Sequence, residues 1–285
     1  MTRIDASFRV CALFGLPARH SMGPSIHNTA FEALGLPFVY VAHDVEPAQL
    51  AQAMAGVRAM GYRGLSITMP HKVAALPLVD EVDEMARAIG CINTVVNENG
   101  RLLGYNTDGL GALGALARAG ADPRGRRVVM LGSGGAARAV ASTLGFRARP
   151  SELVMLGAIP DELNRLARDV AERTRINVKA RVLDEAVLAE ELAQAEILLQ
   201  CTPVGMNPDV ERTLVPAHLL RPELVVFDVV YNPRRTRLLR EAAQAGCRVI
   251  EGMEMFLGQA MEQFTLWTGQ SAPANIMRAV VEARL

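Results

Sequence analysis

Val128-Val129-Met130-Leu131 is a compact apolar run that leads straight into Gly132-Ser133-Gly134-Gly135-Ala136-Ala137, after which Ala139 to Leu144 reads as helix. A buried strand that ends in a glycine turn and enters a helix is the first unit of a dinucleotide-binding βαβ fold. Each small residue has a mechanical reason. Gly132 makes the tight turn, Gly134 lets backbone approach a pyrophosphate, and Ala137 lets helix and strand pack closely. The helix N-terminus then presents unpaired N–H groups to an anion. The same spacing also occurs in loops that are only structural; what separates the two readings here is the strand before it and the helix after it.

The chain around this unit alternates in the same way. Leu153–Leu156, Val178–Val182, Ile197–Gln200 and Leu224–Val229 are short apolar strands separated by helical segments. That alternation predicts parallel βαβ units with right-handed crossovers. Upstream, strands are expected at Arg9–Phe14, Phe38–Ala42, Gly64–Met69 and Cys91–Val96, and helices at Pro24–Leu34, from Glu46-Pro47 to about Met60, and at Asp83–Ala88. Asn97–Gly100 reads as a turn that pairs Cys91–Val96 with Leu102–Gly104 in a hairpin. Helical periodicity returns from Met253, and a last helix is expected over Ala274–Arg284. The expected fold class is α/β: an N-terminal α/β substrate domain with a mostly parallel sheet, plus a Rossmann-type dinucleotide-binding domain. The boundaries expected are residues 1–107, completed by C-terminal helices over residues 253–285, around a dinucleotide domain over residues 108–252.

A length of 285 residues suits two domains of ordinary size. Thirty basic and thirty acidic side chains cancel. No global field would gather nucleic acid or anionic lipid, so nucleic-acid and membrane partners are not expected. No stretch approaches the ~20 apolar residues of a membrane span. The N-terminus lacks a long apolar segment, so no secretory signal is expected. Cys11, Cys91, Cys201 and Cys247 show no metal-ligand spacing, nor do the five histidines, so no metal is expected and the thiols read as buried in a reducing cytoplasm.

Three stretches upstream are too polar and turn-rich for plain core: Arg19–Ser25, Ser66–Lys72, and Ile92–Thr94 together with Gly104–Gly109. Each lies at the end of an expected strand, where open α/β sheets place ligand groups. Oxidising a secondary alcohol needs a group that removes the hydroxyl proton. A lysine serves as base if its pKa is lowered, or as a cation that polarises the carbonyl, and an aspartate beside it orients both. Lys72 and Asp108 are the candidates. On chemistry alone each has a plain alternative: Lys72 as a solvated lysine at a helix start, and Asp108 as the cap of the Gly109 helix.

These stretches carry a resemblance. Gly15–Asn28, Ser66–Lys72, Ile92–Asn97, Gly104–Gly109, Leu131–Ala139, Val230–Thr236 and Phe256–Gly269 are seven motifs in order that resemble those of the shikimate/quinate dehydrogenase family, over residues 8 to 270. The Val230–Pro233 segment and the tail look closer to the quinate/shikimate branch. The resemblance implies a nicotinamide-dependent interconversion of a shikimate- or quinate-like cyclic hydroxy acid and its 3-dehydro ketone. It implies Lys72 and Asp108 as the catalytic pair, Ser21 on the substrate carboxylate, and Thr68 and Asn93 on ring hydroxyls. Gln259 would reach in from the C-terminal helix, and Tyr231 would lie near nicotinamide and substrate. Gly132, Ser133, Gly134, Gly135 and Ala136 would carry the pyrophosphate, with Ala158, Asp161, Thr202, Val229 and Gly252 completing the cofactor site.

Three departures from the family pattern bear on selectivity. Gly23 stands where the substrate loop usually has a second serine, a lost hydroxyl worth ~1–3 kcal/mol if its partner stays unpaired. Ser66 stands where the shikimate branch has asparagine. Gly157-Ala158-Ile159 replaces the Asn-Arg-Ser/Thr cofactor clamp. With no arginine there to hold a 2′-phosphate, and with Asp161 able to accept from a 2′-hydroxyl, NAD is favoured over NADP. Gly23 and Ser66 are expected to leave room, which keeps open a dehydrogenase for an amino- or otherwise substituted shikimate analogue. A non-catalytic metabolite sensor of the same fold is the second alternative, and retention of Lys72, Asp108 and Asn93 weighs against it. The partner expected is a small-molecule substrate, and the chain a monomer or homodimer.

Overall fold

The computed structural model describes residues 4–284. They form two compact units: the described residues up to Thr107 together with Gln259–Arg284, and Asp108–Gly258.

In the first unit the chain runs β1 (Arg9–Gly15), α1 (Gly23–Ala33), β2 (Phe38–Asp44), α2 (Leu50–Ala59), β3 (Gly64–Ile67), β4 (Glu81–Val82), α3 (Glu84–Ile89), β5 (Thr94–Glu98) and β6 (Arg101–Tyr105). The sheet order is β2-β1-β3-β5-β6-β4. β1 is parallel to β2 and β3, and β4 to β6, while β5 runs antiparallel to both of its neighbours. β1 is continuously apolar because both of its faces are covered. Its core includes Ala12, Phe14, Val57, Leu65, Ile67, Ile92, Val95 and Leu102. Pro24 opens α1, where a missing N–H costs nothing. Asp83 caps α3 by accepting from the Met85 and Ala86 N–H groups. Strand β5 begins at Thr94, three residues later than the sequence pattern suggests. Cys91–Asn93 is a connection instead, with the Ile92 N–H given to the Lys72 carbonyl and the Asn93 N–H to the Tyr105 carbonyl.

The second unit contains α4 (Asp108–Arg118), β7 (Arg127–Leu131), α5 (Gly135–Thr143), β8 (Glu152–Gly157), α6 (Pro160–Thr174), β9 (Val178–Val182), α7 (Glu185–Ala193), β10 (Ile197–Gln200), β11 (Val225–Asp228), α8 (Arg237–Gln244), β12 (Arg248–Ile250) and the start of α9 (Gly252–Thr268). Its sheet order is β12-β11-β10-β7-β8-β9, and every pairing is parallel. Alternate residues of β7 feed two cores: Val128 and Met130 join one side with Leu153, Met155 and Phe227, while Val129 and Leu131 join the other with Leu198, Val226 and Leu238. This is the layering that βαβ alternation demands.

From Gln259 onward α9 belongs to the first unit, followed by α10 (Ala274–Glu282). Trp267 of α9 is buried and donates from Nε1 to the Val95 carbonyl at 3.0 Å. It fits because residue 64 has no side chain: a Cβ there would lie 2.2 Å from Trp267 Nε1. No described helix is long and apolar enough to cross a membrane. All four cysteines are buried, and no disulfide joins them.

Candidate active site

In the first unit the polar stretches gather at one edge of the sheet, at the C-terminal ends of β1, β2, β3 and β6 and the N-terminal end of β5. Asp44, the last residue of β2, braces the loop after β1 by accepting from the Ala18 N–H at 2.6 Å and from Arg19 Nε at 2.8 Å. Those bonds hold its carboxyl below the usual range. Ser21 follows, its N–H on the Ala18 carbonyl and its Oγ accepting from the Gly23 N–H at 3.1 Å. Thr68 follows β3 directly and donates its N–H to the Phe14 carbonyl. Gly15 allows the approach, since a Cβ there would lie 2.3 Å from Thr68 Cγ2. Lys72 sits one turn further on, its carbonyl tied to Ile92.

Asn93 is buried beside these groups. Its Oδ1 accepts from Thr94 Oγ1 at 2.7 Å and from the Thr107 N–H at 2.8 Å, and its Nδ2 donates to Thr107 Oγ1 at 3.0 Å. Ser66 is buried too. Its Oγ accepts from Tyr40 Oη at 2.7 Å and donates to Gln263 Oε1 at 2.9 Å. Gln263 Nε2 donates to Thr94 Oγ1 at 3.0 Å. Tyr40 is held by Asn28 of α1, which bonds both its N–H and its carbonyl, and its ring stacks on His27 at 4.7 Å. Burial drives the His27 pKa down to about 3, with the Gln263 side chain opposing, so that imidazole is neutral. Burial likewise pushes the Tyr40 phenol upward.

The room expected at Gly23 and Ser66 is absent. A Cβ at Gly23 would lie 3.2 Å from Tyr40 Cε1, 3.2 Å from Tyr40 Oη and 3.2 Å from Ser21 Oγ. The phenol fills that space from β2, and Ser66 is short because Tyr40 comes to meet it. Gln259 and Gln263 lie one turn apart on α9. Thr94 and Thr107 lie inside the polar stretches read from sequence, and His27, Asn28 and Gln263 inside the Gly15–Asn28 and Phe256–Gly269 motifs, but none was given a role there; Tyr40 lies outside all of them.

In the second unit Gly132 ends β7 with φ +113°, a conformation that favours glycine. A Cβ there would also lie 2.9 Å from the Cys201 carbonyl and 3.1 Å from Thr202 Cγ2. Gly132 and Thr202 are thus brought together. Gly134 and Gly135, in contrast, have only open space where a Cβ would be, and α5 starts from Gly134 without a side-chain cap. An uncapped helix start behind a bare glycine loop fits a diphosphate. Gln200 shapes the Cys201–Val204 turn, accepting from the Thr202 N–H and donating to the Thr202 and Val204 carbonyls. Asp228, buried at the end of β11, accepts from the Val230 N–H at 3.0 Å and from Thr236 Oγ1 at 2.6 Å. Burial raises its carboxyl to about 6, against those two bonds. The clasp sets the course of Val229–Tyr231. Tyr231 stacks on Phe256 at 5.3 Å, and Gly252 admits the Val229 and Val230 backbone, which a Cβ would meet at 2.4–2.6 Å. Ala158 and Asp161 are exposed beside the end of β8, and Asp108 opens α4.

A parallel sheet in the order 3-2-1-4-5-6, with a glycine turn after its first strand, defines a dinucleotide-binding unit, here carried with an α/β unit rich in polar strand-end groups. Residues 13–95 match the family described as the shikimate dehydrogenase substrate binding domain, and residues 252–282 the shikimate 5′-dehydrogenase C-terminal domain. The chain is 45% identical over 281 residues to the shikimate dehydrogenase (NADP(+)) of Moorella thermoacetica, covering 99% of this chain and 95% of that protein. It superposes with TM-score 0.95 and 34% identity on shikimate 5-dehydrogenase from Listeria monocytogenes in complex with shikimate and NAD, covering 99% of each chain. Shikimate 5-dehydrogenase from Thermus thermophilus in complex with NADP(H) and shikimate gives TM-score 0.86 and 34% identity, over 98% of this chain and 100% of that one. The chain belongs to the shikimate dehydrogenase family and is an oxidoreductase.

The comparisons overturn one expectation. The preference for NAD rested on the missing arginine at Gly157-Ala158-Ile159, whereas the relatives are named NADP(+) enzymes and the Thermus structure holds NADP(H). The inference failed because it stopped at the strand end. Ala158 to Glu162 are exposed and wall nothing off. The helix they open carries Arg165 and Arg168 on the same open groove of about 860 Å³ that Asp161 lines. Positive charge is therefore available beyond the three residues on which the expectation was built.

Proposed function

We propose that the protein interconverts a shikimate- or quinate-like cyclic hydroxy acid and its 3-dehydro ketone, with NADP as the hydride carrier. The observation that carries the reading is the set of Ser21, Thr68, Lys72 and Asn93 at one edge of one sheet, with Asn93 locked by its hydrogen bonds to Thr94 and Thr107. Ser21 takes the substrate carboxylate, and Thr68 and Asn93 take ring hydroxyls. Gln259 and Tyr231 complete the ring-acid contacts. Lys72 accepts the carbinol proton, and Asp108 orients the ammonium that results.

When bound, the dinucleotide supplies the hydride acceptor. Gly132, Ser133, Gly134, Gly135 and Ala136 would hold its pyrophosphate, and Thr202, Val229, Gly252, Ala158 and Asp161 would contact the rest of it. The open space at Gly134 and Gly135 supports that assignment. Four buried thiols not joined by disulfides suit a reducing, cytoplasmic setting. The reading of a substituted analogue as substrate drew on room at Gly23 and Ser66, which Tyr40 occupies.

Steady-state oxidation of shikimate with NADP, compared between wild type and Lys72→Ala, tests the proposal. General acid–base removal costs about 10²–10⁴-fold in rate. The variant is expected to lose turnover on that scale while binding of shikimate, read by calorimetry, changes little. Near-normal turnover by Lys72→Ala would remove the lysine from the chemistry.

A further inference from the structure

Tyr40, Ser66, Gln263, Thr94, Asn93 and Thr107 are each no more than 6% exposed, and they form one unbroken line of hydrogen bonds. Its direction follows from two backbone groups, the Asn93 carbonyl that accepts from Gln263 Nε2 and the Thr107 N–H that donates to Asn93 Oδ1. The Tyr40 hydroxyl has a single proton, and it goes to Ser66 Oγ. The Ser66 proton then goes to Gln263 Oε1, which leaves Gln263 Nε2 facing Thr94 Oγ1. With that lone pair taken, the Thr94 proton goes to Asn93 Oδ1. Two backbone groups anchor the far end, since Gln263 Nε2 also donates to the Asn93 carbonyl at 3.4 Å and Asn93 Oδ1 also accepts from the Thr107 N–H at 2.8 Å. Removing the first donor frees the Ser66 hydroxyl to turn from Gln263 Oε1, and the hold of Gln263 on the Thr94 hydroxyl, and through it on Asn93 Oδ1, weakens.

The start of the line is placed as tightly as its end. Tyr40 is clamped by Asn28 through two bonds of 2.7 and 2.8 Å and stacked on His27. Its Oη lies against Gly23 and the Ser21 end of the pocket, where a Cβ at residue 23 would crowd it. A group beside the loop proposed to hold the carboxylate is thereby wired to the side chain proposed to hold a ring hydroxyl.

We infer that Tyr40 and Gln263 are positioning residues that, through the Thr94 hydroxyl, steady the Asn93 amide in the orientation the Thr107 N–H gives it, so that Tyr40 sharpens discrimination at the ring hydroxyl Asn93 receives. The inference rests on the ring-acid reading above. It explains how the site works with Gly23 and Ser66 in place of a serine and an asparagine: the phenol enters from β2 and supplies the missing order.

Tyr40→Phe and Gln263→Leu are compared with wild type on shikimate and on analogues that each lack one ring hydroxyl. Both variants are expected to lose about tenfold in kcat/KM on shikimate, the equivalent of about 1.4 kcal/mol, mostly through KM. On the analogue without the hydroxyl that Asn93 holds, the loss is expected to shrink below about twofold. Ser66→Thr, which keeps the hydroxyl, is expected to retain discrimination that Ser66→Ala loses. An equal loss on every analogue would overturn the inference, because a merely structural defect does not distinguish them. Wild-type inactivity on all ring acids would instead fail the ring-acid reading. In that event the side-chain amide resonance of Asn93, followed by ¹⁵N NMR, decides the relay alone: a shift in Tyr40→Phe supports it, and an unchanged resonance overturns it.

Discussion

Gly23 shows how a residue can mislead when read by itself. Its missing side chain looks like space for a larger substrate, yet a methyl group there would come within 3.2 Å of Tyr40 Cε1 and Oη. Gly23→Ala is therefore expected to cost activity in the wild-type background and less in Tyr40→Phe, where the hydroxyl is gone. A double-mutant cycle on kcat/KM measures this, and the coupling expected is about 0.5–3 kcal/mol, as for residues in contact. Gly132 is the opposite case, legible from sequence and needed for the reason expected. It combines φ +113° with backbone 2.9 Å from where a Cβ would sit. Gly132→Ala is expected to cost stability by about 1–3 kcal/mol and NADP affinity by about tenfold or more, read by thermal unfolding and by fluorescence titration.

Among the elements, those legible in sequence are the ones with a period and a boundary. β7 with its glycine turn and β10 fall where the pattern puts them, because a continuous apolar run bounded by turn residues admits little else, and β9 does so through its alternation Val-Lys-Ala-Arg-Val. β4 and β12 have two and three residues and carry no pattern long enough to read. The line from Tyr40 to Asn93 was illegible for a different reason. Its partners are up to 197 residues apart, and only the sheet register and α9 bring them together. The charged residues of β7, β9 and α7 were unreadable in the same way. Glu191 is 1% exposed and is bonded by Lys179 at 2.6 Å, Arg181 at 2.7 Å and Arg127. Burial works to raise its pKa, and the three cations overcome it and hold the carboxyl at about 2. A depressed native pKa gives stability that is full above the ordinary carboxylate range and lost as pH falls through about 2. Glu191→Gln, which leaves Lys179 without its anion and Arg127 and Arg181 with only Glu152 and Glu190, is expected to cost about 3 kcal/mol near neutral pH and less in acid. Urea titrations at two pH values check both statements.

At the scale of the whole molecule, the chain closes its first unit with residues that follow the second in sequence. Trp267 is the anchor of that return, buried against Gly64 and Val95. Trp267→Ala is expected to cost about 3–5 kcal/mol in denaturant unfolding, more than most single changes, because it empties a large site that Gly64 has left open for it. Two domains and a balanced charge were within reach of composition, and the return of C-terminal helices from residue 253 to the first domain was expected too; the first unit resumes at Gln259, part-way along α9, because that helix runs through the boundary without a break in periodicity. The acid response of the whole chain also carries opposite contributions. Asp228, raised by burial to about 6, favours the fold below its ordinary value and loses that favour as pH rises through about 6, the reverse of Glu191. One reaction underlies the roles given to Ser21, Lys72, Asn93 and Asp108. Purified protein, offered shikimate, quinate and their 3-dehydro acids with NADP or NADPH, is followed by nicotinamide absorbance. Reversible, substrate-dependent absorbance change with at least one of these acids is the predicted result, and none with any of them would contradict it.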